Sequence, residues 1–135
     1  MPTPHHLLVI DDEPFIGRIV RLEFERGPYR VSVAHDGDEG MRFLREHPDV
    51  EVVLLDVNMP VRSGLDLLEE ARLDPRLGKV RFIVLTATGQ SATAERAKAL
   101  GAAAFVTKPF SPRKLLRQVA GLLGEPADGA DGEDG

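Results

Sequence analysis

The residues best suited to chemistry in this chain stand at the ends of short apolar runs. Val52-Val53-Leu54-Leu55 ends on Asp56, and Leu7-Leu8-Val9-Ile10 ends on Asp11-Asp12-Glu13. Phe82-Ile83-Val84-Leu85 ends on Thr86, and Ala103-Ala104-Phe105-Val106 ends on Thr107-Lys108-Pro109. A charge at the end of a buried run is costly unless it is paired or binds a cation. Three carboxylates in one crevice repel, so at neutral pH they share protons or hold a cation. An oxygen-only cluster with few ligands suits Mg2+, which keeps several waters and usually bridges to a phosphate. Lys108 adds a positive charge for the same group, and Thr86 adds a hydroxyl donor. Together these residues describe phosphoryl transfer: a carboxylate is the nucleophile, and the cations neutralise the transferring oxygens.

Such chemistry requires the four run ends to meet. The runs at Val52, Leu7 and Phe82 are short and bounded by turn residues, which reads as strands buried on both faces, and Ala103 to Val106 reads as the last strand. Pro60 marks the turn after Asp56. After Pro14, which suits a first helical turn, Phe15, Ile16, Ile19, Val20 and Leu22 recur at helical spacing until Gly27-Pro28. Tyr29 to Ala34 alternates in polarity and is rich in β-branched residues, as expected of a strand nearer the edge. Asp36 to Glu46 reads as a helix with Met41 and Leu44 inward, although Gly37 and Gly40 weaken it. Ser63-Gly64 open a helix carrying Leu65, Leu67, Leu68 and Ala71, and Asp74-Pro75 and Gly78 make a loop. Ser91 to Leu100 is an Ala-rich helix closed by Gly101. Ser111 caps a last helix with Pro112 at its first position and a stripe of Leu115, Leu116, Val119, Leu122 and Leu123. Strands alternate with helices five times, which gives a parallel sheet with right-handed crossovers and helices on both faces. Parallel strands share a carboxyl edge, so the four polar run ends converge where such sheets bind ligands.

At 135 residues the chain is one domain with room for one real core. It has no cysteine, which excludes disulfides, a thiolate nucleophile and Cys-based metal sites. No apolar run approaches membrane-spanning length and no signal-peptide pattern is present, so a cytoplasmic protein without membrane insertion is expected. The net charge of −5 is unevenly spread. Residues 125–135 hold Glu125, Asp128, Asp131, Glu133 and Asp134 and no base, while residues 1–124 carry 17 acids and 17 bases. The acidity therefore belongs to a Gly/Asp-rich segment that reads as a disordered tail or linker. Nothing has the basic footprint of a nucleic-acid binder.

The set Asp11-Asp12, Asp56, Thr86 and Lys108-Pro109 on five βα units resembles the receiver domain of two-component response regulators, in the single-domain, chemotaxis-regulator-like form. The match runs from Leu7 to Leu123 and includes the phrases "VIDDEP", "LLDVNMP" and "VTKPF". The resemblance implies an α/β, flavodoxin-like (βα)5 doubly wound parallel sheet of strand order 2-1-3-4-5, with the receiver at 1–124. It implies that a sensor histidine kinase or histidine phosphotransfer protein donates a phosphoryl group to Asp56. It assigns Mg2+ to Asp12 and Asp56 directly, to Asp11 mostly through water, and to the backbone carbonyl of Asn58. Lys108 then contacts the phosphoryl oxygens, Thr86 swings toward them after transfer, and Phe105 follows as the switch aromatic. Because Phe105 is not Tyr, its signal must come from packing alone. The Lys108–Pro109 bond is expected to be cis. Asn58 and Thr88 occupy the positions at which the family tunes loss of the phosphoryl group. The output surface for a downstream effector is the fourth helix, fifth strand and fifth helix, in a monomer or phosphorylation-dependent dimer. The chain is not an enzyme on other substrates under this reading.

Plainer readings stand beside these. An isolated Asp56 reads as a strand-end cap, Phe105 as core, and Glu13 as a structural acid at a helix N-terminus. His5 and His6 read as solvated residues of a floppy terminus, and His35 and His47 as element ends away from the crevice. Arg113, Lys114 and Arg117 read as a solvated helix face, or as a docking surface with Arg96 and Lys98. A Mg2+-dependent phosphatase with an aspartyl-phosphate intermediate would need a second Asp where Asn58 stands. A flavin binder would need a phosphate-cradling loop where Asp11-Asp12-Glu13 repels phosphate. A scaffold that never takes phosphate is opposed by the complete residue set.

Overall fold

Three of the four apolar runs of the sequence become inner strands and the run around Phe105 an edge strand, while the helices lie on the two faces of the sheet. The computed structural model describes residues 3–87, 89 and 91–125. In chain order the elements are β1 (His5–Ile10), α1 (Pro14–Phe24), β2 (Tyr29–Ala34), α2 (Gly37–Glu46), β3 (Val50–Asp56) and α3 (Gly64–Arg72). A short 3-10 turn (Pro75–Leu77) leads to β4 (Arg81–Thr86), α4 (Ser91–Ala99), β5 (Ala104–Thr107) and α5 (Pro112–Leu123). The five strands are parallel in the order β2-β1-β3-β4-β5, the flavodoxin-like order. Among the described residues, no helix is long and apolar enough to cross a membrane.

Local chemistry sets the helix starts. The side chains of Asp36, Ser63 and Ser111 accept hydrogen bonds from the amides of Glu39, Asp66 and Lys114, and Pro14 and Pro112 occupy first turns. Gly124, at φ 72°, closes α5 in the left-handed conformation that glycine adopts without strain.

Side chains alternate between the two faces of each strand, so the sheet divides one core into two layers. Leu8, Ile10, Val53, Leu55, Phe82 and Val84 pack under α2 and α3. Leu7, Val9, Val52, Leu54, Ile83 and Leu85 pack under α1 and α5. α4 is more lightly attached and buries Ala97.

Gly64 ties this frame to the crevice. A Cβ added there would stand 2.2 Å from the Asp56 carbonyl oxygen. Gly64→Ala is therefore expected to lower stability by about 3 kcal/mol, the upper end of overpacking, and to displace the Asp56 backbone. Denaturant unfolding would measure it, and an unchanged midpoint would show that the loop yields freely.

The amino-terminal histidines are not solvated. β1 pairs with β2 from His5 onward, and His6 is buried. Its Nδ1 lies 2.8 Å from Asp49 Oδ2 and its Nε2 lies 2.7 Å from Ser32 Oγ. His5 sits between two carboxylates, with Nδ1 3.0 Å from Glu51 and Nε2 2.6 Å from Glu125. Burial opposes a charge on His5, but the carboxylates of Glu125 and Glu51 outweigh it and raise the imidazole pKa. Hydropathy marked the strand from Leu7. It extends upstream because long-range carboxylates satisfy both imidazoles, a signal that no local pattern carries. Glu125 is thus held against the sheet, and the rest of the acidic segment, 126–135, lies outside the described residues.

Candidate functional site

The strand register sets the site. Ile10 lies opposite Leu55, Asp56 opposite Leu85, and Thr86 opposite Thr107, so the carboxyl ends of β1, β3, β4 and β5 finish side by side. Asp11, Asp56 and Thr86 are buried there, and Asp12 is exposed. Carboxylate oxygens of Asp11, Asp12 and Asp56 all lie within 4.8 Å of one another.

Backbone groups orient the two buried acids. Asp11 Oδ1 accepts the Glu13 amide at 2.9 Å, and Asp56 Oδ1 accepts the Asn58 amide at 3.1 Å. The Lys108 amide donates to the Thr86 carbonyl at 2.7 Å, and the Lys108–Pro109 bond is cis. Lys108 Nζ lies 2.9 Å from Asp11 Oδ2, 2.9 Å from Glu13 Oε1 and 3.4 Å from Asp56 Oδ1. The Asp11 contact is an ion pair without hydrogen-bond alignment, so the buried Oδ2 has no hydrogen bond.

The electrostatics follow from burial and charge. Burial, then the neighbouring charge of Asp11, pushes the Asp56 pKa up to about 6 against the pull of the Asn58 amide and Lys108. Burial acts against the Lys108 ammonium, but the facing carboxylates of Asp11 and Glu13, and the further negative charge of Asp56, outweigh it and raise its pKa. A buried carboxylate oxygen without a hydrogen bond, beside two further carboxylates, is a donor set that fits a hard divalent cation.

The site opens into a cleft of about 500 Å3. Asp12, Asp56 and Lys108 line its polar part, while Phe15, Ile19 and Phe110 line an apolar part. Thr86 Oγ1 donates to Asn58 Oδ1 at 3.3 Å, and the Ala87 amide donates to the same oxygen at 3.2 Å. Phe105 is half-buried in β5, opposite Val84, and packs on the layer that includes Ala97. Thr88 lies outside the described residues.

All the site residues read from the strand ends therefore share one edge. Glu13 stands at the N-terminus of α1, as its reading as a structural acid has it, and its side chain, which makes no capping hydrogen bond, also holds Lys108 across 95 residues of sequence. The Asn58 side chain was also missed as the partner of Thr86. Neither contact has a local sequence signal, although an N-cap position without a good capping residue leaves Glu13 free for other work.

These features recur in known proteins. The family model for the response regulator receiver domain matches residues 7–120. The response regulator SaeR of Staphylococcus aureus (strain USA300) is 36% identical over 118 residues, which cover 87% of this chain and 50% of SaeR. The chain thus spans about half the length of the curated relatives it matches. The chemotaxis response regulator CheY4 of Vibrio cholerae superimposes with a TM-score of 0.82 at 28% identity, covering 89% of this chain and 99% of that one. A chain of the CheX–CheY–BeF3–Mg2+ complex from Borrelia burgdorferi gives a TM-score of 0.81 at 26% identity, covering 89% of this chain and 90% of that one.

Proposed function

The chain belongs to the response regulator receiver family of two-component systems, and from that premise we propose that Asp56 accepts a phosphoryl group from a sensor histidine kinase or a histidine phosphotransfer protein. The observation that carries this reading is the meeting of Asp11, Asp12 and Asp56 with Lys108 in one cleft.

Asp11, Asp12 and Asp56, with the backbone carbonyl of Asn58, would hold Mg2+. When bound, the ion neutralises the carboxylates and the oxygens of the transferring phosphoryl group. An Asp56 carboxylate oxygen attacks phosphorus. The new P–O bond forms as the P–N bond of the donor phosphohistidine breaks, and the imidazole nitrogen leaves with the electron pair. Lys108 turns from its carboxylates toward a phosphoryl oxygen. Thr86 exchanges its bond to Asn58 for another phosphoryl oxygen, and Phe105 follows into the space beside α4. Phosphorylation thereby shifts an existing inactive–active equilibrium, read by a downstream effector on the α4–β5–α5 face. The apolar wall of the cleft, with exposed Phe15, suits docking of a protein donor. The receiver occupies 1–124 in a cytoplasmic protein, with 125–135 as tail or linker, and acts as a monomer or phosphorylation-dependent dimer.

Incubation with Mg2+ and acetyl phosphate, followed by intact mass measurement, tests the chemistry. One added phosphoryl group is expected, absent from Asp56→Asn and from a Mg2+-free sample. Failure of the wild-type protein to gain it, with no response to beryllofluoride, would overturn the reading.

A further inference from the structure

The edge of the sheet opposite Asp56 holds a second cavity, of about 630 Å3. Arg72 at the end of α3, Lys79 in the turn before β4, Arg81 at the start of β4, and Gly101, Ala103 and Leu122 line it. Among the described residues no carboxylate lines it, and none of these three cations forms an ion pair with another described residue. The acids nearby are already matched: Asp49 holds His6 and Arg30, and Glu51 holds His5. Arg72 spends one nitrogen on the Val80 carbonyl at 2.8 Å and lies over the Phe82 ring, while its buried Nε has no hydrogen bond. Arg81 donates to the Leu122 carbonyl at the end of α5. A cavity lined by cations and no acids is electrostatically incomplete.

The chain supplies the complement. Residues 126–135 contain Asp128, Asp131, Glu133 and Asp134 and no base. They follow Glu125, which His5 holds against β1 at this same edge. In the strand order, β1 and β4 are separated by β3, roughly 10 Å in all. Three extended residues, from 125 to 128, span roughly the same distance. Tethering at this range gives the acids a millimolar effective concentration at the cavity.

We propose that the acidic segment 126–135 docks in the Arg72–Lys79–Arg81 cavity. The contact sets the direction in which the chain leaves the receiver. It also lays negative charge on the turn from α4 to β5, the strand that carries Phe105 toward the site.

The test compares the full chain with a full-length variant bearing Asp128→Asn, Asp131→Asn, Glu133→Gln and Asp134→Asn. Backbone NMR shifts are read at low salt and at about 0.5 M salt, where the Debye length falls to about 4 Å. The amides of Gly78, Lys79, Gly101 and Ala103 are expected to differ between the two proteins at low salt and to converge at high salt. Lys79→Gln, which breaks no hydrogen bond of the fold, should shrink the difference. Inorganic phosphate should perturb these amides at least about threefold more tightly in the neutralised variant, because a tethered competitor is gone. Coincident shifts at low salt, equal phosphate affinity, or a difference that grows with protein concentration and so reports a second copy, would each overturn the proposal.

Discussion

Asp56→Asn is expected to raise the melting temperature of the metal-free protein at pH 7.5 by roughly 5–10 °C while removing all phosphoryl uptake. The Asp56 carboxyl is 1% exposed and faces Asp11, and its pKa rises from an ordinary 3.8 to about 6. A carboxyl with a raised folded pKa binds its proton more tightly in the folded state. Its contribution to stability is therefore greatest below about pH 4 and falls as pH rises through about 6. Two pKa units correspond to about 3 kcal/mol lost by pH 7.5. Asn retains the shape and the acceptor for the Asn58 amide but carries no charge, and for a domain of this size each kcal/mol moves the midpoint by a few degrees. Thermal scans between pH 4.5 and 8 check the sign: the advantage of the variant should shrink toward acid pH. Mg2+ should stabilise the wild type and scarcely affect the variant, since a ligand stabilises only the state that binds it. A variant no more stable than wild type at pH 7.5 would show that Asp56 is not electrostatically strained.

That strain explains why the site was easier to read than parts of the frame around it. Asp56, Thr86 and Lys108 each break an apolar pattern at a strand end, and the common direction of parallel strands then forces them together. The rule is global but its inputs are local, so the sequence displays them. The caps Asp36, Ser63 and Ser111 are legible for the same reason, since each acts on an amide three residues away. Glu13 and His6 have partners that are distant in sequence. Glu13, which follows β1, meets Lys108, which follows β5, across the carboxyl ends of β3 and β4 that lie between those strands, and His6 meets Asp49 and Ser32 across two strand pairings. A histidine at a strand start looks solvated until the carboxylate that receives it is placed. Position alone also hides the strain at Val61, an exposed β-branched residue at φ 70° in the loop between Asp56 and α3.

Lys108→Ala is expected to produce two effects of opposite sign. Without a cation the variant should lose about 2–4 kcal/mol of stability at pH 7.5, because Asp11, Glu13 and Asp56 keep their charges and lose the ammonium between them. The ammonium pKa is raised, so its stabilisation is fully present below the ordinary lysine range and is lost only as pH climbs through the higher folded value. Neutral pH therefore sees the whole effect. Mg2+ affinity should move the other way and rise by roughly tenfold, since Lys108 and a divalent cation neutralise the same Asp11 and Asp56 oxygens and compete for them. Phosphoryl uptake from acetyl phosphate should nevertheless fall by roughly 100-fold or more, as when one preorganised donor to developing oxygen charge is removed. Calorimetric Mg2+ titration and timed intact-mass measurements separate the two. Tighter metal with slower uptake would assign Lys108 to the phosphoryl oxygens. Weaker Mg2+ binding in the variant would instead mean that Lys108 chiefly orders the carboxylates, and its place in phosphoryl transfer would fall.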